Sequence, residues 1–221
     1  MRETRLMKPT LLTAAGNLEN QDRGLFLRDG RRMALCVADG ADGRSGGLEA
    51  AIRAVEFVRE HAAHVHTDAS CAELLRRMDA SIAEDPVAGE TTCALAVVTA
   101  DGLFGASVGD SGIWLIPENG AFLDLSRDQR RKPFIGSGGA WPISFRHPMV
   151  SGTLLLASDG LFKYASAKQI VTTTCRAHPQ DLAAERLIEL VRYSSGSLPD
   201  DVTVIVWDLS MDNADSGVTG L

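Results

Sequence analysis

The chain has 221 residues, 45% of them hydrophobic, which is enough to bury one sizeable core. A formal net charge of −7 disfavours nucleic acid as the main partner, because phosphate binding needs a clustered basic surface that releases counterions. No run approaches eighteen consecutive apolar residues, so no membrane span is expected, and residues 1–16 lack the apolar centre of a signal peptide.

No Pro/Gly/Ser-rich linker divides the chain, so residues 1–209 read as a single domain. The polar, Gly/Ser-containing stretch 210–221 reads as a disordered tail. In chain order, the first strand-like run is 33–37. Two amphipathic helices follow, one with Ala51, Ala54, Val55, Val58 and Ala62 on a face, the other with Cys71, Leu74, Leu75 and Met78. Runs at 92–98, 103–108 and 113–116, separated by short polar turns, argue for an antiparallel meander. A strand at 153–157 comes next. A helix from Asp181 then carries Ala184, Leu187, Ile188 and Val191 on one face until Ser194-Ser195-Gly196 ends it. The last strand is 202–207. Several strands are apolar on both faces, which suits strands lying between two layers. The class expected is α+β, with antiparallel sheets inside and helices outside.

Cys36, Cys71, Cys93 and Cys175 are widely spaced and read as buried free thiols, and no pair has the spacing of a zinc or redox motif. A reducing, cytoplasmic compartment is the simplest assumption.

Four aspartates sit where apolar runs end or begin: Asp39, Asp110 and Asp159 after strands, Asp200 before one. Any one of them alone reads equally well as a turn residue, and Asp29-Gly30 and Asp101-Gly102 are read as turns only. Jointly they describe an acidic cluster assembled from distant strand ends. Carboxylates about 4 Å apart repel by about 4 kcal/mol per pair at an effective dielectric near 20, so such a cluster calls for cations. Hard divalent metals and hydrolytic chemistry follow.

Taken in order, Asn20-Gln21-Asp22, VADGADGRSGG (37–47), GETT (89–92), VGDSG (108–112), LLLASDGL (154–161) and PDDVTVIV (199–206) resemble the metal-dependent protein phosphatases of the 2C type, across nearly the whole chain. The resemblance implies a β-sandwich of two antiparallel sheets flanked by helices on both sides, with the metals at one end. It also implies hydrolysis of phosphoserine or phosphothreonine on a phosphorylated protein, by water activated between two Mg²⁺ or Mn²⁺ ions. By that resemblance Asp39 bridges the ions and the Gly40 carbonyl joins one of them, while Asp159 and Asp200 complete the other. Asp22 would hold metal-bound waters, with Gln21 where many members have Glu. Asp110 would help to hold a third metal.

The chain departs from the pattern in three places. Asn17 stands where an Arg usually grips the substrate phosphate; Arg23 and Arg44 are the candidates to replace it, or are plain surface residues. Lys163 stands where another metal-binding Asp often follows, either as an exposed loop residue or as a countercharge for Asp110 or Asp159. Only 124–141 occupies the place of a mobile flap, so either unusual substrates or exposed phosphopeptides taken with little discrimination are expected. A catalytically weak regulatory or binding module is the alternative function.

The basic run Arg127, Arg130, Arg131 and Lys132 reads as a solvated loop or as a docking patch for an anionic substrate. Cys71 and Arg77 match the bare spacing of thiol phosphatases but lie in a helix without a Gly-rich phosphate loop. Asp39-x-x-Asp42-Gly43 fails the Ca²⁺ loop pattern. His61, His64 and His66 read as surface histidines, and nothing places His147 or His178 near the metals.

Overall fold

Two antiparallel five-stranded sheets are built from strands whose alternate residues face different layers. The structure, a computed structural model, describes residues 8–41, 46–117, 121–148, 151–177 and 181–209. One sheet has the order β1 (Thr10–Ala14), β10 (Val202–Asp208), β9 (Thr153–Ala157), β6 (Gly112–Ile116), β7 (Leu123–Asp124). The other runs β2 (Asp22–Asp29), β3 (Arg32–Asp39), β4 (Cys93–Thr99), β5 (Gly102–Val108), β8 (Ile143–His147).

The apolar runs explain the layering. On β3, Met33, Leu35 and Val37 point between the sheets, while Ala34, Cys36 and Ala38 point outward beneath helices. On β10, Ile205 and Trp207 point inward, and Val202, Val204 and Val206 point outward. Helices α1 (Gly47–His61) and α2 (Asp68–Ala83) cover the β3 sheet. The β10 sheet is covered by α3 (Asp159–Phe162), α4 (Ala167–Arg176) and α5 (Asp181–Glu189). The expected class, a sandwich of antiparallel sheets flanked by helices on both sides, is the class observed. Among the described residues no helix is long and apolar enough to cross a membrane.

Helix starts are set by short polar side chains. Thr67 and Ser70 form a capping box on α2, and Ser166 and Gln169 form one on α4. The end of the first helical segment is closed from outside, where the Arg32 guanidinium donates to the carbonyls of Ala62, Ala63 and Val65.

The meander needs correction. β4 and β5 pair, but β6 leaves for the other sheet and pairs with β9 and β7. Gly109, at φ 100°, makes this crossing, and a Cβ there would lie 2.7 Å from the Thr92 side chain. Strands β1, β2, β7 and β8 and helices α3 and α4 are not among the elements expected from the sequence. β2 has polar ends, and β8 is an edge strand that alternates between half-buried and exposed residues. α5 stops at Glu189, before the Ser194–Gly196 turn expected to end it. Asp29-Gly30 and Asp101-Gly102 are hairpin turns, as expected. Cys36, Cys71 and Cys93 are buried free thiols, whereas Cys175 is exposed, contrary to its reading. The 210–221 tail lies outside the described residues.

The short 124–141 segment is tied to α2. Buried Asp79 accepts from the backbone N–H groups of Gly136 (2.7 Å), Gly138 (3.0 Å) and Ala140 (2.9 Å). Ile135, fully buried, exchanges both backbone hydrogen bonds with Thr91. Asp79→Ala, which leaves three amides without their acceptor, is expected to lower unfolding stability by about 2–3 kcal/mol. Urea denaturation checks this, and a loss below ~0.5 kcal/mol would show that water replaces the carboxylate.

Candidate active site

β3, β5 and β9 all run towards the same end of the sandwich, and β2 and β10 start from it, so their terminal residues are brought together by topology. Asp39, the last residue of β3, is the antiparallel partner of Asp22, the first of β2. Asp110 lies on the link between sheets, Asp159 opens α3 directly after β9, and Asp200 precedes β10. The GETT segment fixes Asp39 from below: its N–H donates to Thr92 Oγ1 (3.0 Å), and its carbonyl accepts from the Thr92 N–H (2.8 Å) and Thr91 Oγ1 (2.9 Å). Gly40 donates to the Gln21 carbonyl at 3.3 Å, and a Cβ there would lie 2.5 Å from the Gly47 backbone. Only glycine lets α1 start this close to the end of β3.

The charges of these side chains act on one another across this end of the sandwich. Burial, then the carboxylates of Asp22, Asp159, Asp110 and Asp200, push the Asp39 carboxyl well above its usual range. Burial is also the main cause raising Asp22 from 3.8 to about 6, against hydrogen bonds to its charged form that lower it. Burial raises Asp159 too, opposed by Lys163 and reinforced by Asp110 and Asp200. Asp22 Oδ2 accepts from Ser158 Oγ at 2.7 Å, whereas its Oδ1 is buried with no hydrogen-bond partner.

Two basic side chains reach this end of the molecule. Lys163 Nζ lies 2.6 Å from Asp159 Oδ2 and 3.5 Å from Asp200 Oδ2. Burial would lower the Lys163 pKa, but the two carboxylates outweigh it and hold the ammonium above its usual range. Arg131 meets Asp110 Oδ2 through Nη2 (2.6 Å) and Nε (3.1 Å). Among the described residues, no three His, Cys, Asp or Glu side chains close on one point as metal ligands do. The donor set nonetheless fits hard divalent cations: carboxylates held against their charge, one orphaned carboxylate oxygen, and a glycine at the Gly40 carbonyl position.

Several of the sequence-derived assignments sit elsewhere. Arg23 Nη1 donates to the carbonyls of Asn20 (3.0 Å) and Asp22 (2.7 Å), so it braces the start of β2. Arg44, Asp42, Gly43 and His178 lie outside the described residues. Lys163 is a countercharge for Asp159 and Asp200, and Asp110 is paired with Arg131 instead. The rest of the basic run turns away: Arg130 lies over Trp141, Lys132 over Phe134, and Arg127 beside Asp128. Burial pushes the Cys71 thiol up to about 12, which removes it as a nucleophile.

Residues not singled out from sequence complete the site. Asp201, 5% exposed, accepts from the N–H groups of Gly16 (2.8 Å), Asn17 (3.1 Å) and Gln21 (2.8 Å), and so anchors the loop that delivers Asp22. Ser158 donates to Asp22 and accepts from the Thr203 N–H at 2.9 Å, stitching one sheet to the other. The Asp200-Asp201 doublet was the available signal. Neighbours in extended chain point to opposite sides, so one Asp can serve the site and the other the scaffold.

A model of the protein phosphatase 2C family matches residues 13–192. Solved structures of similar fold include a point variant of a bacterial serine phosphatase (TM-score 0.78, 20% identity, 91% of this chain and 98% of that one). The S. agalactiae serine/threonine phosphatase also matches (TM-score 0.75, 22% identity, 91% and 99%). So does the catalytic domain of the phosphatase PstP in complex with 2 manganese ions (TM-score 0.73, 23% identity, 91% and 97%). The Drosophila melanogaster protein phosphatase PTC7 homolog fig is 27% identical over 59% of this chain, which spans 56% of that relative's length. The fold is thus the two-sheet sandwich of these solved phosphatase structures. By its sequence, the chain belongs to the protein phosphatase 2C family.

The raised Asp22 pKa sets a pH dependence. Folded Asp22 holds its proton more tightly than the unfolded chain does, so its contribution to stability is complete below about pH 4 and is lost as pH rises through about 6. Metal-free wild type should therefore lose melting temperature across that window more steeply than Asp22→Asn. Calorimetric scans in EDTA test this, and parallel slopes for the two proteins would contradict it.

Proposed function

We propose that the chain is a metal-dependent serine/threonine protein phosphatase, a reading carried by the convergence of Asp22, Asp110, Asp159 and Asp200 on Asp39. Asp39, the Gly40 carbonyl, Asp159 and Asp200 would hold two Mg²⁺ or Mn²⁺ ions, and Asp22 would orient water beside them. Bound there, divalent cations supply Lewis acidity, a water of lowered pKa and neutralisation of charge at phosphorus. The chain's own residues supply the rest. Thr91 and Thr92 hold the Asp39 backbone still, and Ser158 orients Asp22.

Arg131 would meet an incoming phosphate, a reading supported by its side chain being 73% exposed and already on Asp110. Asn17, exposed and anchored through its backbone N–H by Asp201, offers no charge there. With the pinned 124–141 segment in place of a mobile flap, the site would suit phosphoserine or phosphothreonine in exposed peptide segments of a partner protein. The free thiols suit a reducing compartment such as the cytoplasm. Asn17 and Lys163 together favour a second reading, a phosphatase-like binding module with weak turnover.

Phosphate release from a phosphothreonine peptide with Mn²⁺ distinguishes the two. Asp39→Asn and Asp159→Asn are each expected to lower kcat/KM by at least about 100-fold, and full activity in either would sink the metal mechanism. Asn17→Arg is expected to raise kcat/KM severalfold, chiefly through KM, by adding a cation at the phosphate.

A further inference from the structure

Lys163 lies one turn after Asp159, at the C-cap of α3, and its N–H closes the helix on the Asp159 carbonyl at 2.8 Å. This spacing aims its ammonium back over the residue that opens the helix. The Lys163 side chain is 45% exposed and approaches from solvent, while those of Asp159 and Asp200 are 11% and 21% exposed. A single ammonium therefore bridges two mostly covered carboxylates that belong to different segments, the start of α3 and the approach to β10. Arg131 differs, because the ion pair it makes among the described residues is with Asp110 alone.

A divalent cation held by Asp159 and Asp200 would compete with Lys163 for these two carboxylates, whose Oδ2 atoms its ammonium already contacts. An ammonium left at that distance from the ion would repel it, and the carboxylate lone pairs facing Nζ would not be free to ligate. Asp39 and Asp22, in contrast, have no basic side chain against them among the described contacts. Asp159 and Asp200 are thus the half of the centre at which this chain carries its own cation.

We propose that Lys163 is a built-in competitor for the metal: its ammonium holds Asp159 and Asp200 together in the metal-free protein and swings out to solvent when a divalent cation enters. The inference rests on the metal reading of the site given above. Binding is then an exchange of one cation for another, and Lys163 raises the metal concentration at which the centre fills. The exposed side chain has room to leave, and a C-cap position does not require it to stay.

Isothermal titration of the EDTA-treated protein with Mn²⁺ tests this. Lys163→Gln is expected to bind Mn²⁺ about tenfold more tightly than wild type, whereas Lys163→Arg, which keeps the charge, stays near wild type. A second measurement needs no variant. In wild type, acylation of Lys163 by an activated acetate ester, read by mass spectrometry against Lys132 and Lys168, should rise severalfold when Mn²⁺ is added. Equal Mn²⁺ affinity in wild type and Lys163→Gln, or unchanged acylation of Lys163 on a protein that does bind Mn²⁺, would overturn the role of Lys163 alone. If neither protein depletes the paramagnetic resonance signal of free Mn²⁺, the metal reading falls as well.

Discussion

Like charge gathered in a covered place is the constraint around which the structure is arranged. Asp22, Asp39, Asp110, Asp159 and Asp200 meet at one end of the sandwich, and burial alone pushes several of them towards the neutral acid. An unpaired buried carboxylate is costly, and a group of them more so. Each is therefore tethered by its neighbours in the fold, and three are met by a cation of the chain itself, Asp159 and Asp200 by Lys163 and Asp110 by Arg131.

The scaffold behind the carboxylates serves their positions more than their charge. Thr91 and Thr92 hold the backbone of Asp39, Ser158 spans from β10 to Asp22, and Asp201 gathers three amides of the loop that leads into β2. These hydrogen bonds fix where the oxygens sit without consuming them all, and Asp22 Oδ1 remains open. A site prepared in this way is suited to ions that demand defined oxygen geometry. It also separates two kinds of acid: Asp201 is structural because its oxygens are spent on backbone N–H groups, whereas Asp200 beside it still faces the cluster.

Much of this was legible in the chain. Strands buried on both faces, such as 33–37 and 202–207, announce themselves as continuous apolar runs because each face meets a packed layer. Strands with a wet face or polar ends, β2 and β8, do not, and the latter's pairing with β5 depends on a neighbour distant in sequence. The excursion of β6 to the second sheet was invisible for a similar reason. The link 109–111 looks like any short turn, and only the packing of Gly109 against Thr92 shows that the chain changes sheet there.

By itself the sequence determined the family and the layered class and pointed to the acids, because ordered motifs and apolar periodicity are local properties of the chain. Tertiary structure alone decided which charges answer them. Lys163 was ambiguous between solvent and a countercharge, Arg131 was one residue of a basic run, and Arg23 was a candidate for substrate phosphate. Folding assigns Lys163 to Asp159 and Asp200, Arg131 to Asp110, and Arg23 to backbone carbonyls. The physical reason is that charge pairing acts through distance in space, and long flexible side chains reach partners that their order along the chain does not specify.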